Sequence, residues 1–161
     1  MSSKLNNKLS QWIKRIINLS LVSLLYSGHA YANECDISLT ANDAMQFSAK
    51  TLSVPASCTD VTLTLIHDGK LPKTAMGHNW VLTQAADMQA VANDGMAAGA
   101  ANHYVKPDDS RVIAHTEIIG GGGSTSISFS TQGMTAGSSY KFFCSFPGHW
   151  AIMQGDFSIT E

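Results

Sequence analysis

Three side chains able to bind a soft metal ion are concentrated in one short stretch near the C-terminus, Cys144-Ser145-Phe146-Pro147-Gly148-His149-Trp150-Ala151-Ile152-Met153. A thiolate, an imidazole and a thioether form a donor set that favours copper, and Cys with two His and a long axial Met is the blue-copper arrangement. Pro147-Gly148 turns the chain, so that His149 and Met153 return towards Cys144. One more imidazole is required. Five histidines lie beyond residue 32: His67, His78, His103, His115 and His149. His78 is the best placed of them. It stands in Met76-Gly77-His78-Asn79-Trp80 at a loop-to-strand junction, where Gly77 lets its own carbonyl approach a metal.

Short strands must carry these residues. The pattern predicts strands at Asp36 to Thr40, Gln46 to Val54, Val61 to His67, Trp80 to Thr83, Val112 to His115, Ser126 to Ser130, Tyr140 to Cys144 and Asp156 to Thr160. Apolar and polar residues mostly alternate in Val61 to Ile66 and in Ser126 to Ser130, the period of a half-buried strand. Eight such segments separated by turns predict an all-β, eight-stranded sandwich. Asp87 to Ala101, rich in Ala and Met, reads as a single short external helix despite Gly95 and Gly99. Gly120 to Gly123 reads as a flexible hairpin loop, since no helix follows it to present amides to a phosphate.

The 161 residues suit one globular domain. The formal charge of -2 hides an asymmetry. Lys4, Lys8, Lys14 and Arg15 are the only charges before residue 33, which leaves the remainder with six basic residues against twelve acids. Such a balance speaks against nucleic-acid binding. The basic start runs into an apolar stretch from Ile16 to Leu25 and then Ala30-Tyr31-Ala32, the pattern of a secretory signal peptide over residues 1–32 cleaved after Ala32. The apolar run is too short for a membrane span, which needs about 20 residues. A soluble, periplasmic domain over 33–161 is expected, without a stable membrane anchor. In an oxidising compartment three cysteines leave one over. Cys35 and Cys58, both near ends of predicted strands, are expected to pair, and Cys144 is then the odd thiol.

Cys144-x4-His149-x3-Met153 together with Gly77-His78-Asn79-Trp80 closely resembles the azurins, bacterial blue-copper proteins of the cupredoxin fold. The likeness extends through Glu34-Cys35, Cys58, Ala85 to Gln89, Asp94-Gly95-Met96 and Lys106 to Thr116, essentially the whole chain after the leader. The resemblance implies a Greek-key topology. It implies His78, Cys144 and His149 as strong ligands of one copper ion, with Met153 and the Gly77 carbonyl as weak axial ones. It also implies the Cys35 to Cys58 disulfide, a side chain of Asn79 that ties the two ligand loops, and backbone amides of Asn79 and Phe146 that donate to the Cys144 sulfur. His67 and His115 match histidines that are not ligands, and His103 matches nothing with a role. Leu71, Met76, Met96, Phe146, Pro147 and Ala151 would surround the exposed edge of His149, with Trp150 beside them as a departure from the small residue usual there.

The function implied is a monomeric one-electron carrier cycling Cu(II) and Cu(I) between redox proteins such as c-type cytochromes, a copper or haem reductase, or a dehydrogenase. A periplasmic copper-binding or storage protein is the alternative, although a site built to exchange metal would be more open. A Cys144 nucleophile with His149 as base would need an orienting acid or amide and a substrate pocket. An oxidase would need further metal centres, commonly built on His-x-His pairs. Zinc binds the same ligands, but divalent affinities rank copper above it.

Overall fold

The computed structural model describes residues 34–161. The leader expected over residues 1–32 and its cleavage point lie outside the described residues. Nine strands form two sheets: β1 (Asp36–Asn42), β2 (Gln46–Phe47), β3 (Thr51–Pro55), β4 (Asp60–His67), β5 (Val81–Gln84), β6 (Val112–His115), β7 (Ser124–Ser130), β8 (Tyr140–Phe143) and β9 (Gln154–Thr160). One sheet has the order β2-β1-β4-β7 and the other β3-β9-β8-β5-β6. Strands β1 and β4 are parallel, as are β3 and β9, and the remaining pairs are antiparallel. The architecture is the expected sandwich. The ninth strand arises because the segment expected as one strand, Gln46 to Val54, leaves the first sheet after Phe47 and joins the second at Thr51. The alternation slips by one residue at the break: Phe47 and Ala49 turn inwards before it, Leu52 and Val54 after it, and Lys50 and Thr51 between them are both exposed.

Strand β4 carries the alternation to completion: Val61, Leu63, Leu65 and His67 are buried, and the residues between them face outwards. The inward residues of both sheets meet around Trp80, which is completely buried against the rings of Phe129, Phe142 and Phe157. Full burial of such side chains stabilises by roughly 1.5–3 kcal/mol each. The Cys35–Cys58 disulfide ties the start of β1 to the residues before β4, and closing a loop of this size contributes roughly 3 kcal/mol in the chain-entropy account.

Helix α1 (Lys73–Met76) is a single turn, and α2 (Met88–Ala98) is the expected external helix. Asp87 precedes α2 but its side chain does not cap it. Gly99, in a left-handed conformation, ends it three residues sooner than the composition suggests, and a 3₁₀ turn (Ala100–Asn102) follows. Val91 and Ala92 pack with Val81, Val105 and Phe143 into a second apolar cluster.

Gly120 to Gly123 is not a hairpin loop, because β6 and β7 belong to different sheets. It is also held in place: Gly121 N–H donates to the Leu71 carbonyl and Gly122 N–H to that of His67. A Cβ on Gly120 would lie 2.6 Å from the Lys73 nitrogen, and one on Gly121 would lie 2.6 Å from the Lys70 Cα. These glycines serve close approach of two backbones, which a composition of repeated glycine cannot be told from flexibility.

Candidate metal centre

Two neighbouring strands of the five-stranded sheet aim the donors. Strand β8 ends at Phe143, one residue before Cys144, and β9 starts at Gln154, one residue after Met153. Phe143 faces Gln154 in the antiparallel register, so residues 144–153 close a hairpin between two interior strands. Inside that loop Cys144 N–H donates to the Met153 carbonyl at 3.0 Å, His149 N–H to Phe146 at 3.0 Å and Met153 N–H to His149 at 2.8 Å. Gly148 makes the turn at φ 84°, a conformation that favours glycine. Strand β5 pairs β8 with Val81 opposite Phe143, which brings the residues just before β5 alongside Cys144. His78 is fixed there by two backbone hydrogen bonds with Ile119, at 3.0 and 2.9 Å.

Cys144 Sγ lies 3.7 Å from His78 Nδ1 and 3.6 Å from His149 Nδ1, and the three atoms lie within 4.8 Å of one another. First-row ions form bonds of about 2.0–2.3 Å to such donors. Three donors around one ion in a plane are then about 3.6 Å apart, so the cluster is the right size for a single ion. His78 Nε2–H donates to the Asn42 carbonyl at 2.9 Å, leaving the Nδ1 lone pair towards the cluster. Burial pushes His78 down to about 4; the neighbouring His67 and His149 lower it a little further, and the bond to Asn42 and the charge of Asp43 oppose this in smaller measure. His149 is lowered by burial as well. Both imidazoles are therefore neutral and able to donate at neutral pH. Burial pushes the Cys144 thiol up to about 12, opposed in part by backbone N–H groups of Asn79 and Phe146 directed at the sulfur. A cation that replaces the thiol proton answers this cost.

Met153 is completely buried in the same loop. The Gly77 carbonyl lies 3.8 Å from Cys144 Sγ. Gly77 has an ordinary extended conformation, so its glycine is required by space: a Cβ there would collide with the Lys73 carbonyl and lie 2.6 Å from Ile118 Cγ2. Asn79, completely buried, accepts from Ser145 N–H at 2.8 Å and donates through Nδ2 to Ser145 Oγ at 2.8 Å and to the His103 carbonyl at 3.0 Å. It bridges the segment that carries His78 to the one that carries Cys144. Ser145, its partner, escaped the sequence reading, because a serine between a cysteine and a phenylalanine carries no signal of its own.

His67 stacks on His78 with ring centroids 4.5 Å apart. Its Nε2–H donates to the Met76 carbonyl and its Nδ1 accepts from Gly69 N–H, so both nitrogens are occupied. His115, the last residue of β6, donates through Nδ1–H to the Thr116 carbonyl, outside the cluster. Of the residues expected to form the apolar patch, Leu71, Met96, Pro147 and Ala151 are exposed, and Met76 and Phe146 are half-buried. Trp150 is only partly in that company, because it packs on the cluster of Val91, Val105 and Phe143. Ile152, 54 % exposed, is apolar surface from the same loop that the sequence reading passed over.

A β-sandwich that closes a His, Cys, His cluster between the ends of its strands defines a cupredoxin-type, mononuclear copper site. Residues 33–160 match the profile of the copper binding proteins of the plastocyanin/azurin family. The chain is 53% identical to azurin-1 of Alcaligenes xylosoxydans xylosoxydans over 128 residues, 80% of this chain and 99% of that one. It is 48% identical to the azurin of Pseudomonas aeruginosa over 147 residues, 91% of this chain and 99% of that one. Among solved structures, an azurin from the methylotroph Methylomonas sp. strain J superposes with a TM-score of 0.76 at 46% identity, covering 79% of this chain and 98% of the other. The chain belongs to the plastocyanin/azurin family of copper-binding proteins.

Proposed function

We propose that the protein is a periplasmic one-electron carrier, exported by a leader cleaved after Ala32 and working between redox proteins. The observation that carries this reading is the burial of the donors: His78, Cys144 and Met153 have no solvent exposure and His149 has 4 %. No substrate can reach such a site, so bond-making catalysis is disfavoured, and a metal held there has no open route for exchange, which disfavours storage. Copper supplies the redox couple, Cu(II) and Cu(I). The chain's contribution is a frame that does not move between the two states. His78, Cys144 and His149 would hold the ion, and Met153 and the Gly77 carbonyl would be its weak further donors. Asn79 and the backbone N–H groups of Asn79 and Phe146 stabilise negative charge on sulfur and so help set the potential.

The residual exposure at His149 marks where electrons pass. Its ring packs on Phe146, with centroids 4.7 Å apart, and the loop that carries it also presents Pro147, Ala151 and Ile152 to solvent. A small dry patch permits close contact without slow release. The protein acts as a monomer, and its partners are redox proteins such as c-type cytochromes, copper or haem reductases, or dehydrogenases. Self-exchange measured by NMR line broadening on the copper protein tests the reading. Met76→Lys should leave the visible spectrum unchanged yet slow exchange severalfold, because hydrated like charges must then meet where two apolar surfaces met. Equal rates for the variant and the wild type at two salt concentrations would place the electron route elsewhere.

A further inference from the structure

His103 stands apart from the donor cluster, yet it touches the segments that carry His78 and Cys144. It follows the 3₁₀ turn with φ 55° and ψ 25°, and Tyr104 next to it has φ 53°. Two successive residues with side chains in the left-handed region require surrounding contacts that over-determine them. The His103 carbonyl accepts from Asn79 Nδ2 at 3.0 Å and from Ser145 Oγ at 3.3 Å. Asn79 adjoins His78, and Ser145 adjoins Cys144. The ring does something different: its Nδ1 accepts from Ile118 N–H at 3.2 Å. Ile118 precedes Ile119, whose backbone bonds hold His78 from the other side. Ile118 also packs against the place where a Cβ on Gly77 would be.

We infer that His103 is a positioning residue for the copper site, its ring locking the left-handed turn so that its carbonyl fixes the spacing between the His78 and Cys144 segments. This rests on the reading that His78, Cys144 and His149 hold copper. The ring is an acceptor at Nδ1, which in the neutral imidazole puts the proton on Nε2 and disqualifies His103 as a ligand in this arrangement. The role needs an acceptor on the atom attached to Cγ. Asparagine supplies one, since its Oδ1 occupies the place of the imidazole Nδ1, and it also tolerates a left-handed backbone. Glycine tolerates the backbone and supplies no acceptor.

The test compares His103→Asn with His103→Gly. In the metal-free protein, amide hydrogen exchange at Ile118 should be roughly fivefold to tenfold faster in His103→Gly than in wild type, the effect of losing one net hydrogen bond, and close to wild type in His103→Asn. With copper bound, His103→Gly should shift the visible charge-transfer band and release copper to a chelator severalfold faster, and His103→Asn should restore both. If Ile118 exchange is the same in all three proteins, or if His103→Asn fails to restore it, the ring is not the lock. If exchange responds as expected while band and release do not, the lock exists but does not position the ligands, and the inference is overturned. A wild-type protein that does not bind copper would overturn the metal reading and leave the exchange result standing, so the two failures are distinguishable.

Discussion

Loading the site must remove one proton, and the structure says which. With the Cys144 thiol pushed up to about 12 by burial, ionising it at pH 7 costs about 7 kcal/mol, which metal binding has to supply. The two imidazoles cost nothing further, because burial has lowered both and they are already neutral. Adding Cu(II) to weakly buffered metal-free protein at pH 7 should therefore release one proton per ion. Apparent affinity, measured by chelator competition, should rise about tenfold per pH unit between about pH 6.5 and 9, some 300-fold in all. Cys144→Ser should bind far more weakly and lose the dependence. Release of no proton, or a flat affinity profile for the wild type, would refute a buried protonated thiol that becomes the ligand. Release of two would mean that His78 or His149 carries a proton at neutral pH.

Met153→Leu should keep copper and raise the reduction potential in voltammetry by roughly 40 mV, the one-electron equivalent of about 1 kcal/mol, because a weak donor that favours Cu(II) is lost. A lowered potential would contradict an axial role. Metal-free protein should lose stability in urea as pH falls from about 6.5 towards 4, by up to about 3 kcal/mol: the unfolded chain takes up a proton that the folded state, with His78 lowered to about 4, does not. A constant midpoint over that window would show His78 protonating as readily folded as unfolded. Thr83→Val should raise thermal stability by about 1 kcal/mol, since the Thr83 hydroxyl is buried without a hydrogen-bond partner. A lower melting temperature would mean that the hydroxyl is satisfied after all.

The donor loop was legible because its chemistry is local. Cys144, His149 and Met153 occupy one turn-containing segment, and their types alone restrict the metal. His78 was harder, and position at a strand's start singled it out before any pairing was known. The strands read well where one face is buried, as in β4, and badly where the chain changes partner, as between Phe47 and Thr51, because a one-residue slip at Lys50-Thr51 is a weak signal within so short an alternation. What the sequence could not display were relations across the fold. Ile118 belongs to the site through its backbone N–H, and Ser145 and His103 through backbone groups as well as side chains, all of them bonded to partners far away in the sequence. The glycines at 120 and 121 likewise read as loose chain, since only the approach of residues 70–73 reveals what they make room for.

Strand β9 is the last element of the chain, yet it lies inside its sheet between β3 and β8 rather than on an edge. The parallel partner it needs, β3, was synthesised about a hundred residues earlier, as the pairing of Thr51 with Asp156 records. A nascent chain therefore cannot close this sheet until residues 154–160 emerge, and Cys144, His149 and Met153 come just before them. For the export proposed above this order is an advantage, since the sandwich would stay unfinished during transit as an open chain. Nothing upstream can assemble the metal centre early, since His78 alone is a single donor. Removing β9 would take out the middle of a sheet, so a chain that holds copper in this frame has been made at least through Thr160.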